Sequence, residues 1–494
     1  MTGFRIDRRA FVSHGGAGVL LAAGGGALAQ ESPKKEGKTT VLEDMGVWIA
    51  GLRYEDLSAA TVRKVRYLLL DTFGCALGAV NGAPVRSARE VIRARGSNPQ
   101  ATVIGTGWKT SVDEAAFLNA MQIRYLDFND YAAYGYPHHP SINLAAALAI
   151  AELRNLSGRD VMLGLVVGYD VHIKVRDASE RRGFDMPSLE AQYGSAAAAA
   201  RLMGQTPKQI ANTLSIAASN ANTLSEVRAG DTLTNAKGTA EALAVRAGTF
   251  AALLSTAGID YPPTMMDGEF SYKALVSRGL KEEILRKRSG DFEIMKSSMK
   301  MWPSIGTSQA PIAAALQFRE KGIKASDIKS VVLHLSSFGY DQQKGFLSHN
   351  ITTREHADHS CPYVVARAFM DGDVREEDFE PRRFRDPAAL AFMEKISVLE
   401  DPELTKNGAD ILGCRLEITL NNGSSQKIDM RYAPGSVQNP ATDSQVEHKF
   451  FDLAEGTLGQ AGARRARDAI LSLDTARDLK GLIAALNPPK GAKK

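Results

Sequence analysis

Sixteen residues, "LDFNDYAAYGYPHHPS" from Leu126 to Ser141, hold two carboxylates, three tyrosines and two adjacent histidines between stretches of apolar, helical pattern. Carboxylate beside imidazole is the composition of general acid–base catalysis, in which the acid orients or charges the ring and the ring moves a proton near neutral pH. The spacing predicts a helix through "SVDEAAFLNAMQIRYLDFND" ending near Asp130, with Asp127 and Asp130 three apart on one face. A second helix is expected to start at Ser141, an N-cap after Pro140. The histidines then sit on a connection between two helices of a rigid body, where scaffolds commonly present reactive groups. A metal is the competing chemistry, because Asp127, Asp130, His138 and His139 include good ligand types. Neither an HExxH spacing nor a cysteine partner accompanies them, which ranks a metal below acid–base work. Lys237 is the other conspicuous group. It falls in the first turn of "NAKGTAEALAVRAG", where the helix dipole disfavours a cation. Facing a cleft, such a lysine has a lowered pKa and is ready to donate to, or pair with, an anionic substrate.

The elements that must position these groups follow from the apolar periodicity. From about Leu57 to Leu254 apolar residues recur at three and four, as in "INLAAALAIAELRNL" and "YGSAAAAARLM", which predicts a bundle of Ala-rich helices. After "YPPTMMDGEFSY" the texture changes. Lys329 to Ser336, "KSVVLHLS", and "CRLEITLNNGSSQKIDMRY" read as strands, the latter a hairpin turning around Asn421, Asn422 and Gly423, with a helix "SCPYVVARAFMDG" between them. The fold class expected is mainly α with a smaller α+β domain. The helical domain covers 40–270, the α+β domain 285–432, and 441–488 returns to helix and packs back on the first domain. Residues 489–494 form a basic tail expected to be disordered.

Lys+Arg number 60 against 56 Asp+Glu, a net +4, of which about +2 lies in the first thirty residues. No general basic field calls for nucleic acid. Cys75, Cys361 and Cys414 are odd in number and far apart, which argues against a disulfide framework and a cysteine zinc site. Residues 1–29 have the layout of an export signal: Arg8 and Arg9, Phe11, then a Gly/Ala-rich apolar run from Gly15 to Leu28 and "ALAQ". The paired arginines and the weakly hydrophobic, glycine-interrupted run resemble a twin-arginine signal. A membrane anchor needs about 20 continuous apolar residues, so export to a periplasm-like compartment is expected rather than a span.

Several stretches, in order, resemble landmarks of the MmgE/PrpD family: "AAFLNAMQIRYLDFND…HHPS", "YGSAAAAARLMG", "AVRAGTFAALLSTAGI", "KMWPS", "ADHSCPYVVARAFMDG" and "GSVQNPATDSQVEHKFFDLA". The resemblance runs from about residue 45 to the C-terminal helices. It implies a helical domain with an α+β lid, a homodimer, and cofactor-free chemistry on a small di- or tricarboxylic acid between the domains. Carried over by motif, Asp127 corresponds to the first acid of the family's L-D-F-D-D, Asp130 to its last, His139 to the histidine of its H-P, and Lys237 to its active-site lysine. Tyr340, after "VVLHLSS", is matched to a family tyrosine across an intervening length that differs. The chain also departs from the pattern. Tyr131 stands where threonine is usual, Asp185 in "GFDMPS" replaces a histidine, and Gln309 stands where a histidine follows K-x-x-P. Asp185 retains the ability to act as a base if buried, whereas Gln309 cannot titrate. Tyr131, His138 and Gln309 are expected on the substrate-binding side of the site.

The reaction favoured by these residues is removal of a proton alpha to a carboxylate followed by loss of hydroxide, a lyase without cofactor or metal. An epimerase using the same proton abstraction and a non-catalytic carboxylate-binding protein are the alternatives. The export reading makes its own prediction: changing Arg8 and Arg9 to lysine should leave uncleaved precursor in the cytoplasm, measured by fractionation, and normal periplasmic processing of that variant would sink the assignment.

Overall fold

The computed structural model describes residues 39–132, 138–180, 183–220, 223–228, 233–288, 290–406 and 412–488. The expected export signal and the tail at 489–494 lie outside the described residues. Among the helices of the first half, six frame the site: α1 (Ala59–Gly78), α2 (Val112–Tyr125), α3 (Leu144–Arg154), α4 (Gly158–Ala178), α5 (Met186–Leu202) and α6 (Ala236–Thr256). Local chemistry sets their ends. Ser58 accepts from Thr61 N–H ahead of α1, Ser157 and Asp160 form a capping box at α4, and Asn155 closes α3 in the left-handed region at φ 53°.

Alanine and glycine let these helices meet backbone to backbone. A Cβ on Gly194 of α5 would lie 2.8 Å from the Gly168 carbonyl oxygen of α4, and one on Gly248 of α6 would lie 2.9 Å from Ala196 N of α5. So close an approach leaves little room for rearrangement, which suits helices that must hold reactive groups still.

The second half is α+β: α7 (Gln309–Glu320), β1 (Ile328–Leu335), α8 (Cys361–Asp371), β2 (Ile396–Glu400), β3 (Cys414–Leu420) and β4 (Ser425–Met430), followed by the long α9 (Asp443–Leu471). The sheet order is β2-β1-β3-β4. Val331 of β1 faces Ile396 of parallel β2, Leu333 faces Leu416 of antiparallel β3, and Leu416 faces Ile428 across the β3–β4 hairpin. That hairpin turns through Gly423 at φ 87°, a conformation that favours glycine. Alternate residues of the strands bury one face, which joins Phe318 of α7 and Tyr363 and Phe369 of α8 in a core of its own. The helical core is separate: it runs from Val41 through Leu285, Ile294 and Met299 and takes in Val446 to Leu486 at the C-terminal end. Helix α9 thus packs on the first body. Cys75, Cys361 and Cys414 are buried and free. No single helix among the described residues is long and apolar enough to cross a membrane.

One side chain ties α9 to the junction of the two cores. Lys449 donates to the Asp71 carboxylate of α1, to Phe128 O at 2.7 Å and to Lys300 O at 2.8 Å, with Phe128 packed under its ammonium at 3.8 Å. Removing one partner of a buried ion pair leaves the other charge stranded and typically costs about 3–5 kcal/mol. Lys449→Met should therefore destabilise the protein by about that amount in urea or thermal unfolding; a loss below about 1 kcal/mol would show that the clamp is dispensable.

Candidate active site

Helix α2 stops at Tyr125, earlier than the expected end near Asp130, so Asp127 and Asp130 do not share a helix face. Instead the chain turns at Asp127, which adopts φ 48°. Aspartate is one of the few residues besides glycine that tolerates this region. The turn lets Asp127 meet Lys300 twice, through its carbonyl oxygen at 2.6 Å and Oδ2 at 2.9 Å. Its Oδ1 accepts from Lys237 Nζ at 3.0 Å and Arg124 Nη1 at 3.1 Å. Burial alone would raise this carboxyl, but Lys237, Lys300 and Arg124 hold it well below the usual carboxylate range.

Asp130 turns the other way. Its Oδ2 accepts from Tyr169 Oη at 2.8 Å and its Oδ1 from Ser141 N–H at 3.2 Å, and burial pushes its pKa up to about 6. Ser141 is therefore not an N-cap; it lies inside a short 3₁₀ turn, Pro140–Asn143, that precedes α3. The Asp130 carbonyl faces His139 Nδ1 at 3.0 Å. A carbonyl only accepts, so Nδ1 carries the proton and Nε2 keeps its lone pair. Burial, reinforced by the charges of Arg124 and Lys300, holds His139 well below an ordinary histidine, as a neutral imidazole.

Lys237 occupies the first turn of α6, as the sequence predicts. Besides Asp127, its Nζ donates to His359 Nε2 at 2.7 Å. His359 Nδ1 is held by the Asp358 carboxylate, which fixes the proton there and the lone pair on Nε2. Burial lowers Lys237, and burial lowers Lys300 to about 8, in each case against the pull of Asp127. Asp127, His139, Arg228, Leu233 and Lys237 from the helical body, Ile305, Gly306, Gln342, Phe346 and His359 from the second half, and Lys300 at the junction line one pocket. It encloses about 510 Å³ of empty space, its open mouth included.

Of the residues expected at the site, the structure brings Asp127, His139 and Lys237 together in this pocket, with Asp130 directly behind His139. The others lie elsewhere. His138 turns away from its neighbour toward Glu190 and His172, deep among α4 and α5. Tyr131 pairs with Ser298 in a two-residue ladder, and burial raises its phenol to about 12. Asp185 caps α5, accepting from Ser188 N–H, and receives Arg228 Nε at 2.5 Å; it reaches the pocket only through that arginine. Gln309 is spent on a turn: its Oε1 accepts from Met301 and Trp302 N–H, and its Nε2 donates to Trp302 O. Tyr340 packs beside the second core under Lys344, and Gln342 reaches the pocket instead. Sequence reasoning missed Lys300 and His359, although both stand inside motifs it singled out, "KMWPS" and "ADHSCPY". Arg124 and Glu241 also stand inside quoted stretches and Arg228 in none, and the roles of all three arise from pairing across the fold.

Among the described residues, two clusters each bring three potential metal ligands within 4.8 Å of one another: His138, His172 and Glu190, and Asp127, Asp358 and His359. Neither suits a cation. His172 Nδ1 accepts from Asn143 Nδ2 at 3.2 Å, which places its proton on Nε2, the nitrogen that faces Glu190 at 3.6 Å. Asp127 already carries two ammonium groups and a guanidinium, which would repel a metal ion.

Residues 43–284 match the MmgE/PrpD N-terminal domain, and residues 302–475 match the MmgE/PrpD C-terminal domain. Over 454 residues the chain is 28% identical to 2-methylcitrate dehydratase of Salmonella typhi, covering 86% of this chain and 92% of that protein. It is 23% identical over 466 residues to the cis-aconitate decarboxylase-like protein oryM of Aspergillus oryzae, covering 89% and 96%. It is 24% identical over 476 residues to cis-aconitate decarboxylase of Homo sapiens, covering 91% and 95%. With both domain matches in order along most of its length, and with a helical body and an α+β half to match them, the chain belongs to the MmgE/PrpD family.

Proposed function

We propose that this protein is a cofactor-independent lyase that removes a proton alpha to a carboxylate of a small di- or tricarboxylic acid and then expels hydroxide. The observation that carries the reading is the pairing of a neutral imidazole, His139, with two ammonium groups held on one carboxylate in the same pocket. The dehydratase and decarboxylase relatives, which by name act on such acids, support it. His139 Nε2 takes the α-proton. Lys237 and Lys300 each keep an N–H beyond those given to Asp127 and His359, and these offset the charge that develops on the substrate carboxylate. As the C–H electron pair becomes the new C=C bond, the C–O bond breaks, and Lys300, whose lowered pKa makes it a ready acid, gives a proton to the departing hydroxide. Water leaves, and the proton on His139 returns to Lys300 through solvent. Asp358 and His359 keep Lys237 in place.

Incubating the protein in D2O with a panel of hydroxy- and amino-dicarboxylates and tricarboxylates, followed by NMR, tests the chemistry. An unsaturated product marks a lyase, deuterium at the α-carbon with inverted configuration marks an epimerase, and ligand-induced stabilisation without either marks a binding protein. His139→Ala and Lys237→Ala should each lower the rate about a hundredfold or more. Unchanged rates in both would remove this pocket from the mechanism.

The pH dependence has a worked sign. Lys300 loses its proton as pH rises through about 8, so kcat/KM should fall above that value. The unfolded chain keeps the same proton up to the ordinary lysine range, so between about pH 8 and pH 10.5 the unfolded state binds more protons and the Lys300 contribution to stability rises. Activity and this part of stability should move in opposite directions, read from rate profiles and thermal unfolding at each pH. In Lys300→Arg the remaining activity should no longer decline near pH 8; a decline left in place would assign that limb to another group.

A further inference from the structure

Four cations surround Asp127 and Glu241, and three of them bear on Asp127. Arg124 is fully buried and divides its contacts among Glu241, Asp127 and Asn129, while Lys237 and Lys300 both bear on Asp127. Arg228 is held differently. Its Nε and Nη2 edge is gripped by Asp185 Oδ1 and Glu241 Oε1, each at 2.5 Å, while Nη1 donates to no group among the described residues and the side chain lines the pocket. Both anchors are rigid. Asp185 is fully buried at the start of α5, its own N–H donating to Thr223 O at 2.8 Å, and Glu241 is fully buried on α6. Although burial opposes the charge, the two carboxylates raise the pKa of Arg228, so the guanidinium stays protonated at every working pH. A planar cation fixed along one edge presents its remaining N–H groups in one direction and loses little freedom when a carboxylate meets them.

We propose that Arg228 recognises a second substrate carboxylate, remote from the carbon that His139 deprotonates, so that the pocket selects di- and tricarboxylates over monocarboxylates. The inference rests on the proposed carboxylic-acid chemistry and assigns Asp185 the task of positioning the guanidinium rather than handling a proton. Leu233, Ile305 and Phe346, which also line the pocket, are suited to the carbon skeleton between the two charged ends.

The test is a carboxylate series on the full chain. Calorimetry measures binding of butyrate, succinate and tricarballylate, with one, two and three carboxylates, to the unaltered protein, Arg228→Gln and Arg228→Lys. The unaltered protein should bind succinate or tricarballylate at least about ten-fold tighter than butyrate, the scale of a charge-assisted hydrogen bond. Arg228→Gln should lose that step and leave butyrate within about two-fold, and Arg228→Lys, which keeps the charge without the fork, should lose part of it. Because glutamine strands Asp185 and Glu241, the double variant Asp185→Asn, Arg228→Gln makes the same comparison if the single variant does not fold. Equal losses for all three ligands, or an unchanged series, would overturn the role of Arg228 and leave the proposed chemistry standing. If the unaltered protein binds none of the three, or binds butyrate as tightly as the others, both readings fall together.

Discussion

One buried carboxylate, Asp127, holds three cations that would otherwise repel one another. Arg124, Lys237 and Lys300 converge on it within 3.1 Å, and the charges alternate behind it through Glu241 and Arg228 to Asp185. In a low-dielectric interior such a series stands only while every charge has a partner, since one missing link leaves a desolvated ion that the rest cannot neutralise. The same series accounts for the protonation pattern of the pocket. Burial lowers the pKa of His139 and His359, and the cations that satisfy Asp127 lower both further.

That arrangement needs walls that do not give. Helices α4, α5 and α6 meet through glycines and alanines, and the Asp127–Lys237 and Arg124–Glu241 pairs tie the end of α2 and the turn after it to α6. The other side of the pocket comes from the second half of the chain, whose hydrophobic core is distinct. The proposed chemistry therefore lies on the seam between two cores, where polar groups are tolerated because neither apolar interior must absorb them.

Much of this was legible in the sequence. Helical periodicity marked the bundle, alternation marked β1, β3 and β4, and the polar stretch after α2 marked Asp127 and His139, because short-range pattern and residue type were sufficient there. Its reading failed wherever the answer depended on pairing at a distance. Adjacent histidines face opposite ways, His139 toward the pocket and His138 toward Glu190, and no local rule says which. Asp185 looked like a stand-in for an imidazole until its partner, Arg228, lay beside it. Gln309, expected to bind substrate, holds a turn by satisfying its backbone groups, a task that composition does not announce.

The clamp at Lys449 bears on how such a protein is put together over time. A residue of the closing helix bonds the carbonyls of Phe128 and Lys300, one beside the turn of the first body and one at the entrance to the second half. The two halves are consequently not interchangeable parts. In a chimaera that joins the helical body of one relative to the α+β half of another, Asp71, Phe128 and Lys449 stay together and the Lys300 carbonyl is the partner that sits at the crossover. A crossover that keeps the 299–304 segment and the start of α9 with the Asp127 turn keeps the clamp intact. On this architecture the unit of inheritance is the clamp with its site, and the domain boundary visible in the cores is a poor place to cut.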